Sequence, residues 1–281
     1  MDYGNKPSDG GKLILEDTAQ VKQLLHDYPE SSQIVRRYIG SREFVHSNAR
    51  HCFWISDRTL GIARKIPEIN HRIELVRLLR TASKGKQSND NATTPHRFVY
   101  TPHQEGIALI VPRVTSENRP YLPCGFVDGY TIVADTAAVI YGASTWVLAL
   151  IASRLHQQWV ATVCVRLRTD FRYSNTLGWN TFPVPTLTEQ NKTDLTRCAE
   201  EILLAREHYF PATIADMYAP DRMDSEFPLV RAAHDHNDET LERIYIGRRF
   251  KNDTERLEKL FELYTKMTQT TPQKTAKRKL K

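Results

Sequence analysis

Cysteine is scarce: the 281 residues hold Cys52, Cys124, Cys164 and Cys198, widely spaced and never as a Cys-x-x-Cys pair. That spacing argues against a disulfide scaffold and a thiolate zinc site, and with no secretory apolar stretch ahead of it points to reduced thiols in a cytosol. Phosphate-binding and nucleophile motifs are missing too. The chain has no G-x-G-x-x-G, no Walker loop, no G-x-S-x-G and no H-E-x-x-H, so the usual signatures of dinucleotide enzymes, NTPases, serine hydrolases and zinc proteases are absent. No catalytic, cofactor-binding or metal-ligating residue is assigned. Long apolar runs are equally few. Thr136 to Ser153 carries no charge, but it contains Gly142, Ser144 and Thr145 and is followed at once by Arg154. It reads as a buried helix rather than a membrane span, for which roughly 17–25 residues are needed.

What is present describes a globular chain of one large or two modest domains, with 40% hydrophobic and 26% charged residues. The formal charge of +6 is unevenly placed. The stretch Thr271–Lys281 has five basic residues and no acid, which predicts a basic disordered tail, and the rest is close to neutral. Within that rest, Arg36 to Arg80 has ten Lys/Arg against four Asp/Glu, whereas Glu200 to Glu262 has nine against fifteen. The basic residues are mostly arginine, 25 to 14 lysines, and a planar guanidinium suits bidentate contact with phosphates and guanine edges.

Periodicity predicts a mainly helical region from Asp17 to Arg80, with Ile66, Ile69, Ile73 and Val76 on one apolar stripe and Arg64, Arg72 and Arg80 off it. Ser83 to Thr94 is a polar loop. Phe98–Tyr100, Ile107–Val111, Tyr121–Val127 and Tyr130–Val133 read as strands, the last two joined by Asp128-Gly129, a tight-hairpin dipeptide. A long helix is expected over Ala143 to Val163, then an irregular stretch from Arg166 to Pro185. Further helices follow, one with Leu195, Cys198, Ala199, Ile202 and Leu203 on its stripe and one capped by Asn252 and Glu255. The fold class is therefore α+β: a small, mostly antiparallel sheet with packed helices, followed by an all-helical region. His234, His236 and Asp238 suggest a metal cluster only superficially, since on a helix the two histidines stand about 200° apart; a solvated helix face is the expectation. Met217, Tyr218 and Trp146 read as core, and Phe182-Pro183 as a packed connector.

Several stretches, in order, resemble the C-terminal half of the MmeI family of single-chain restriction-modification proteins. They are Asn5 to Gly11, Tyr38 to Phe44, Arg50 to Ile55, Val111 to Arg119 with Tyr121, Ala152 to His156 with Trp159, Arg166 to Ser174, and Asn180 to Pro185, then Ala233-His234 with Asp238 and Phe250 to Tyr264. Val184, Asn118 and Gly178-Trp179 depart from the family's usual Trp, Arg and Val-Tyr. The resemblance implies a remnant of a methyltransferase domain over 1–16, a target-recognition domain over 17–185 and a helical C-terminal region over 186–270. The family's catalytic Asn-Pro-Pro-aromatic motif, its S-adenosylmethionine site and its nuclease carboxylates belong upstream of Met1. It thus implies recognition of double-stranded DNA for an adenine-specific methyltransferase, with S-adenosylmethionine held only by an upstream or separately encoded methyltransferase or nuclease polypeptide. A truncated relic, an interaction module docking on a methyltransferase and an enzyme of unrecognised type are the alternatives.

The residues suited to DNA contact are Arg166, Arg168, Arg172, Tyr173, Ser174 and Asn175 on the irregular segment, with Arg113, Ser116 and Arg119 flanking the sheet. For Arg172 an internal ion-pair network with Asp170 and Tyr173 is an equal alternative. For the Arg113 group it is a solvated strand-end cluster.

Overall fold

The computed structural model describes residues 1–270, so the basic stretch expected to be a disordered tail lies outside the described residues. The strands in chain order are β1 (Asp2–Tyr3), β2 (Ile14–Leu15), β3 (Val35–Ile39), β4 (Arg50–Phe53), β5 (Ala108–Pro112), β6 (Val114–Thr115), β7 (Gly125–Val127), β8 (Thr131–Val133), β9 (Ala137–Tyr141), β10 (Arg166–Leu167) and β11 (Asp170–Arg172). They form three sheets, β1-β9-β5-β7, β2-β4-β3-β8 and β10-β11-β6. Every pairing is antiparallel except β3 with β8. The helices Glu189–His208, Ile214–Met217, Pro228–Ile246 and Asp253–Thr270 make the C-terminal part all-helical. The α+β architecture is thus as expected, with three small sheets in place of one.

The segment 17–80 is less helical than its pattern suggests, because β3 and β4 interrupt it and pair with each other. Its last helix, Pro67–Thr81, starts with proline at the first turn, where the missing N–H costs nothing. Ile69, Ile73 and Val76 are buried on its inner face. Arg80 belongs to that face as well, one turn beyond Val76, and is fully buried. Its guanidinium donates to the carbonyls of Pro7, Ser8, Asn91, Thr94 and Arg97 at 2.7–3.2 Å. All five donors find an acceptor, so one side chain fastens the N-terminal segment and the loop after the helix, which itself contains a short helix at Lys86–Asp90. Residues 1–16, expected to belong with a preceding domain, supply β1 and β2 to two of the sheets.

Asp128-Gly129 does not close a hairpin. β7 pairs with β5, while β8 pairs with β3 in another sheet, so the turn passes the chain between layers. Asp128 Oδ1 accepts from Tyr130 N and Thr131 Oγ1 at 3.0 and 2.9 Å, an Asx turn. Glycine is needed at 129 because a Cβ would lie 2.5 Å from the Gly106 nitrogen. Phe98–Tyr100 is not a strand either; Tyr100 makes only an isolated bridge with Lys6.

The apolar run is shared between β9 and the helix Thr145–Ile151. Leu148 to Ile151 are all at most 1% exposed, so this short helix is enclosed on every side. The single helix expected over Ala143–Val163 is two: Ser153 Oγ donates to Leu150 O at 2.7 Å and accepts from His156 N at 3.1 Å, capping a second helix, Arg154–Val163. No helix among the described residues is long and apolar enough to cross a membrane.

Met217, Tyr218 and Phe182 are buried as expected. His234 is not on a solvated face. It is fully buried and stacked on Tyr121 with centroids 4.1 Å apart. Its Nδ1 faces the Ala152 carbonyl at 3.0 Å and its Nε2 the Tyr218 hydroxyl at 2.5 Å, which Arg206 Nε reaches at 2.8 Å. Burial holds its pKa far below the ordinary histidine range, so the ring is neutral and ties the helix Pro228–Ile246 to the core. Beside it, Asp238 accepts from Arg154 N and from the Tyr121 hydroxyl, both at 2.8 Å.

Candidate nucleic-acid interface

The two groups of candidate residues, about fifty positions apart in sequence, meet in one sheet. β11 pairs with β6 through Phe171 opposite Thr115 and Arg172 opposite Val114. β10 and β11 form a hairpin in which Arg166 faces Phe171 and Leu167 faces Asp170. The loop between them is therefore the two residues Arg168-Thr169, and Arg168 has a φ of 58°, a left-handed conformation that L residues seldom adopt.

Anchoring comes from the inward side chains. Phe171 and Tyr173 are buried in the principal core. The Tyr173 hydroxyl sits 3.0 Å from His156 Nε2 on the helix Arg154–Val163, and Tyr173 N donates to Arg113 O at 2.7 Å. His156 is fully buried, which pushes its pKa down to about 3 and keeps the ring neutral. The same helix contributes Gln157, whose Nε2 donates to Arg119 O at 2.6 Å. His156 and Gln157 were not singled out from sequence, although His156 closes one of the stretches that carry the family resemblance.

The candidates divide by what they already touch. Arg113 NH1 donates to Asp135 O at 2.9 Å, its guanidinium lies 4.3 Å from the Tyr3 ring centroid, and its Nε is sealed from solvent. Tyr173 and Asn175 are buried, and Asn175 Oδ1 accepts from Thr176 N at 3.0 Å. Ser174 Oγ caps the following turn by accepting from Leu177 N at 3.3 Å. Ser116 accepts from Asn118 N at 3.3 Å in the turn that leads to Arg119. Arg119 is half-buried, and burial lowers its pKa while the nearby Asp170 opposes that shift. All six make contacts within the protein; as oriented, Tyr173 and Asn175 offer no side chain to a ligand.

Arg166, Arg168 and Arg172 are exposed. Arg166 is hydrogen-bonded to Glu117 and packs 5.1 Å from the Phe171 centroid. Arg168 and Arg172 have no side-chain hydrogen bond or ion pair among the described residues, so Arg172 is not held in the internal network with Asp170 and Tyr173. The candidate interface is thus a two-stranded ribbon, packed into the core at its base, with two guanidinium groups at its tip and edge that have no partner among the described residues.

Residues 1–186 match the description "MmeI, target recognition domain" and residues 187–271 the description "MmeI, C-terminal domain". DNA methyltransferase A of Bacillus subtilis (strain 168) is 36% identical over 269 residues, which are 96% of this chain and 30% of that protein. A solved structure described as the Type IIL restriction-modification enzyme MmeI in complex with DNA superposes with a TM-score of 0.89 at 31% identity, covering 95% of this chain and 35% of that one. The chain spans about a third of the length of each. It belongs to the MmeI family, in the part that comprises the target recognition and C-terminal domains.

Proposed function

We propose that this chain recognises a specific sequence in double-stranded DNA on behalf of an adenine-specific methyltransferase of the restriction-modification type. The reading rests above all on the β10–β11 ribbon: buried Phe171 and Tyr173 fix its base, while the guanidinium groups of Arg168 and Arg172 have no partner among the described residues. The major groove of B-DNA, about 12 Å wide, admits a two-stranded ribbon, and bidentate arginine contacts there read guanine. Residues 17–185 act as the recognition region and 186–270 as its helical support. The methyl transfer and any cleavage belong to a methyltransferase or nuclease region, joined or separately encoded, which supplies the S-adenosylmethionine site; the present sequence has no motif for either. Such work on cellular DNA places the protein in the cytoplasm.

The acidic balance between Glu200 and Glu262 supports a second reading for that part alone, a surface that docks on a methyltransferase, because it repels phosphate. A fluorescence-anisotropy titration with a duplex separates the two. Recognition requires affinity that falls steeply between about 50 and 200 mM salt as counterions are released. Absence of duplex binding at the lowest salt overturns the DNA reading and leaves docking.

A further inference from the structure

On the β3–β8 side of the β2-β4-β3-β8 sheet, which does not include the ribbon, a second cluster has no part in the arrangement described above. Parallel pairing sets Arg37 of β3 beside Thr131 of β8, and antiparallel pairing sets it opposite His51 of β4. Tyr130, immediately before β8, is 75% exposed despite its size. The Arg36 guanidinium covers one face of its ring at 5.9 Å. Beside them opens a cleft of about 260 Å³ lined by Leu25, Val35, Arg36, Arg37, His51 and Tyr130. The cations are only partly committed. Arg36 uses NH1 on the carbonyls of Ser32 and Val35, leaving Nε and NH2, and Arg37 reaches Asp128 only at 3.9 Å.

This cleft is smaller than the roughly 300–1,000 Å³ of sites that enclose a drug-sized ligand, and no duplex enters it. It suits one phosphate with part of its sugar. The attached base would then meet the open face of Tyr130, with Arg36 behind the ring. An aromatic platform beside partly free arginines is how proteins hold single-stranded nucleic acid without reading its sequence. The cluster shares no sheet with the ribbon: Arg36 and Arg37 lie on β3 and Tyr130 just before β8, whereas the ribbon pairs with β6. We infer that Tyr130, Arg36 and Arg37 form a second nucleic-acid site, which stacks the base of an unpaired nucleotide on Tyr130 and holds its phosphate in the adjoining arginine cleft. This does not depend on the duplex reading.

The probe is a ten-residue oligothymidylate carrying one 2-aminopurine, titrated with the full chain. Wild type should bind it and quench the aminopurine as the base stacks. Tyr130→Phe should preserve both signals. Tyr130→Leu keeps an apolar side chain but no ring; it should lose the quench and about tenfold in affinity. Arg36→Ala and Arg37→Ala should each reduce the salt slope by about 0.7. Arg168→Ala, on the ribbon, should leave all of this unchanged while altering duplex binding, so failure of one site is distinguishable from failure of the other. Absence of oligothymidylate binding, or a Tyr130→Leu variant that binds and quenches like wild type, overturns the inference.

Discussion

Arg168 couples a backbone cost to the recognition role proposed for it, and two substitutions separate them. Its φ of 58° at a two-residue hairpin tip is where such loops favour Gly or Asn, and an L residue there costs about 1–2 kcal/mol. Arg168→Gly removes both the strain and the guanidinium; Arg168→Ala removes the guanidinium alone. The glycine variant should therefore be more stable than wild type by about 1 kcal/mol, partly offset by chain entropy, whereas the alanine variant should not gain. Equilibrium urea unfolding reads this as a shift of the midpoint at constant slope. Both variants should discriminate less at one base pair of the target, by about 1–3 kcal/mol, or roughly 5–150-fold. The assay is selection of a preferred duplex from a randomised pool, followed by competition with each single-base variant at fixed salt. Loss spread evenly over all variants would reassign Arg168 to a phosphate contact. No loss would remove the ribbon from the interface, and a glycine variant no more stable than the alanine variant would refute the strain argument.

Arg80→Met takes the guanidinium from five carbonyls, of which Asn91 O and Thr94 O keep a backbone donor, and should cost about 3 kcal/mol by urea unfolding; Arg80→Lys, with three donors on one atom, should fall between, and a methionine variant within about 1 kcal/mol of wild type would show that those bonds contribute little. Burial pushes the Asp238 carboxyl up to about 7 from its ordinary 3.8, so the folded state keeps a proton that the unfolded state has released. The stability this gives is complete below pH 4 and lost as pH rises through 7, which a comparison of wild type with Asp238→Asn should show as a difference of about one proton in the pH slope; parallel pH profiles would place the carboxyl in its ordinary range. Tyr173→Phe removes the hydroxyl facing His156 at a cost of about 1 kcal/mol and should speed amide hydrogen exchange in β10 and β11. Unchanged exchange there would mean the Tyr173 hydroxyl takes no part in anchoring the ribbon.

The helix Pro67–Thr81 was legible because its isoleucines repeat at helical spacing, and the all-helical C-terminal part for the same reason. What escaped the pattern was chemistry that contradicts polarity. Arg80 and His234 are polar by type, and a pattern reading assigns them to solvent; they are buried because five carbonyls surround one, and an aromatic ring with two partners surrounds the other. Asp128-Gly129 carries the right dipeptide for a hairpin, but its glycine answers a close approach by Gly106 rather than a turn type, and sheet partners decided from afar send the flanking strands apart. The uncharged run Thr136–Ser153 could not reveal that Ser153 restarts the helix, since the cap depends on which oxygen the hydroxyl meets. At the candidate interface, residue types pick out a segment without telling outward from inward: Arg168 and Tyr173 are equally plausible DNA contacts on paper, and the structure separates them by leaving Arg168 exposed in the hairpin loop and burying Tyr173 just after β11.

The pairing of β1 with β9 sets Asp2 opposite Val139, and this imposes an order on synthesis. At about 5–20 residues per second, the first strand leaves the ribosome roughly 7–27 s before its partner exists. During that interval Leu13, Ile14 and Leu15, buried in the finished protein, can be covered only by β4 and the helices near it. The first sheet to close is thus β2-β4-β3, awaiting β8, and the layer that carries the recognition ribbon assembles onto it later. A nascent chain halted before residue 137 would hold an unpaired first strand and an incomplete second sheet, the kind of open edge on which chaperones and neighbouring chains compete.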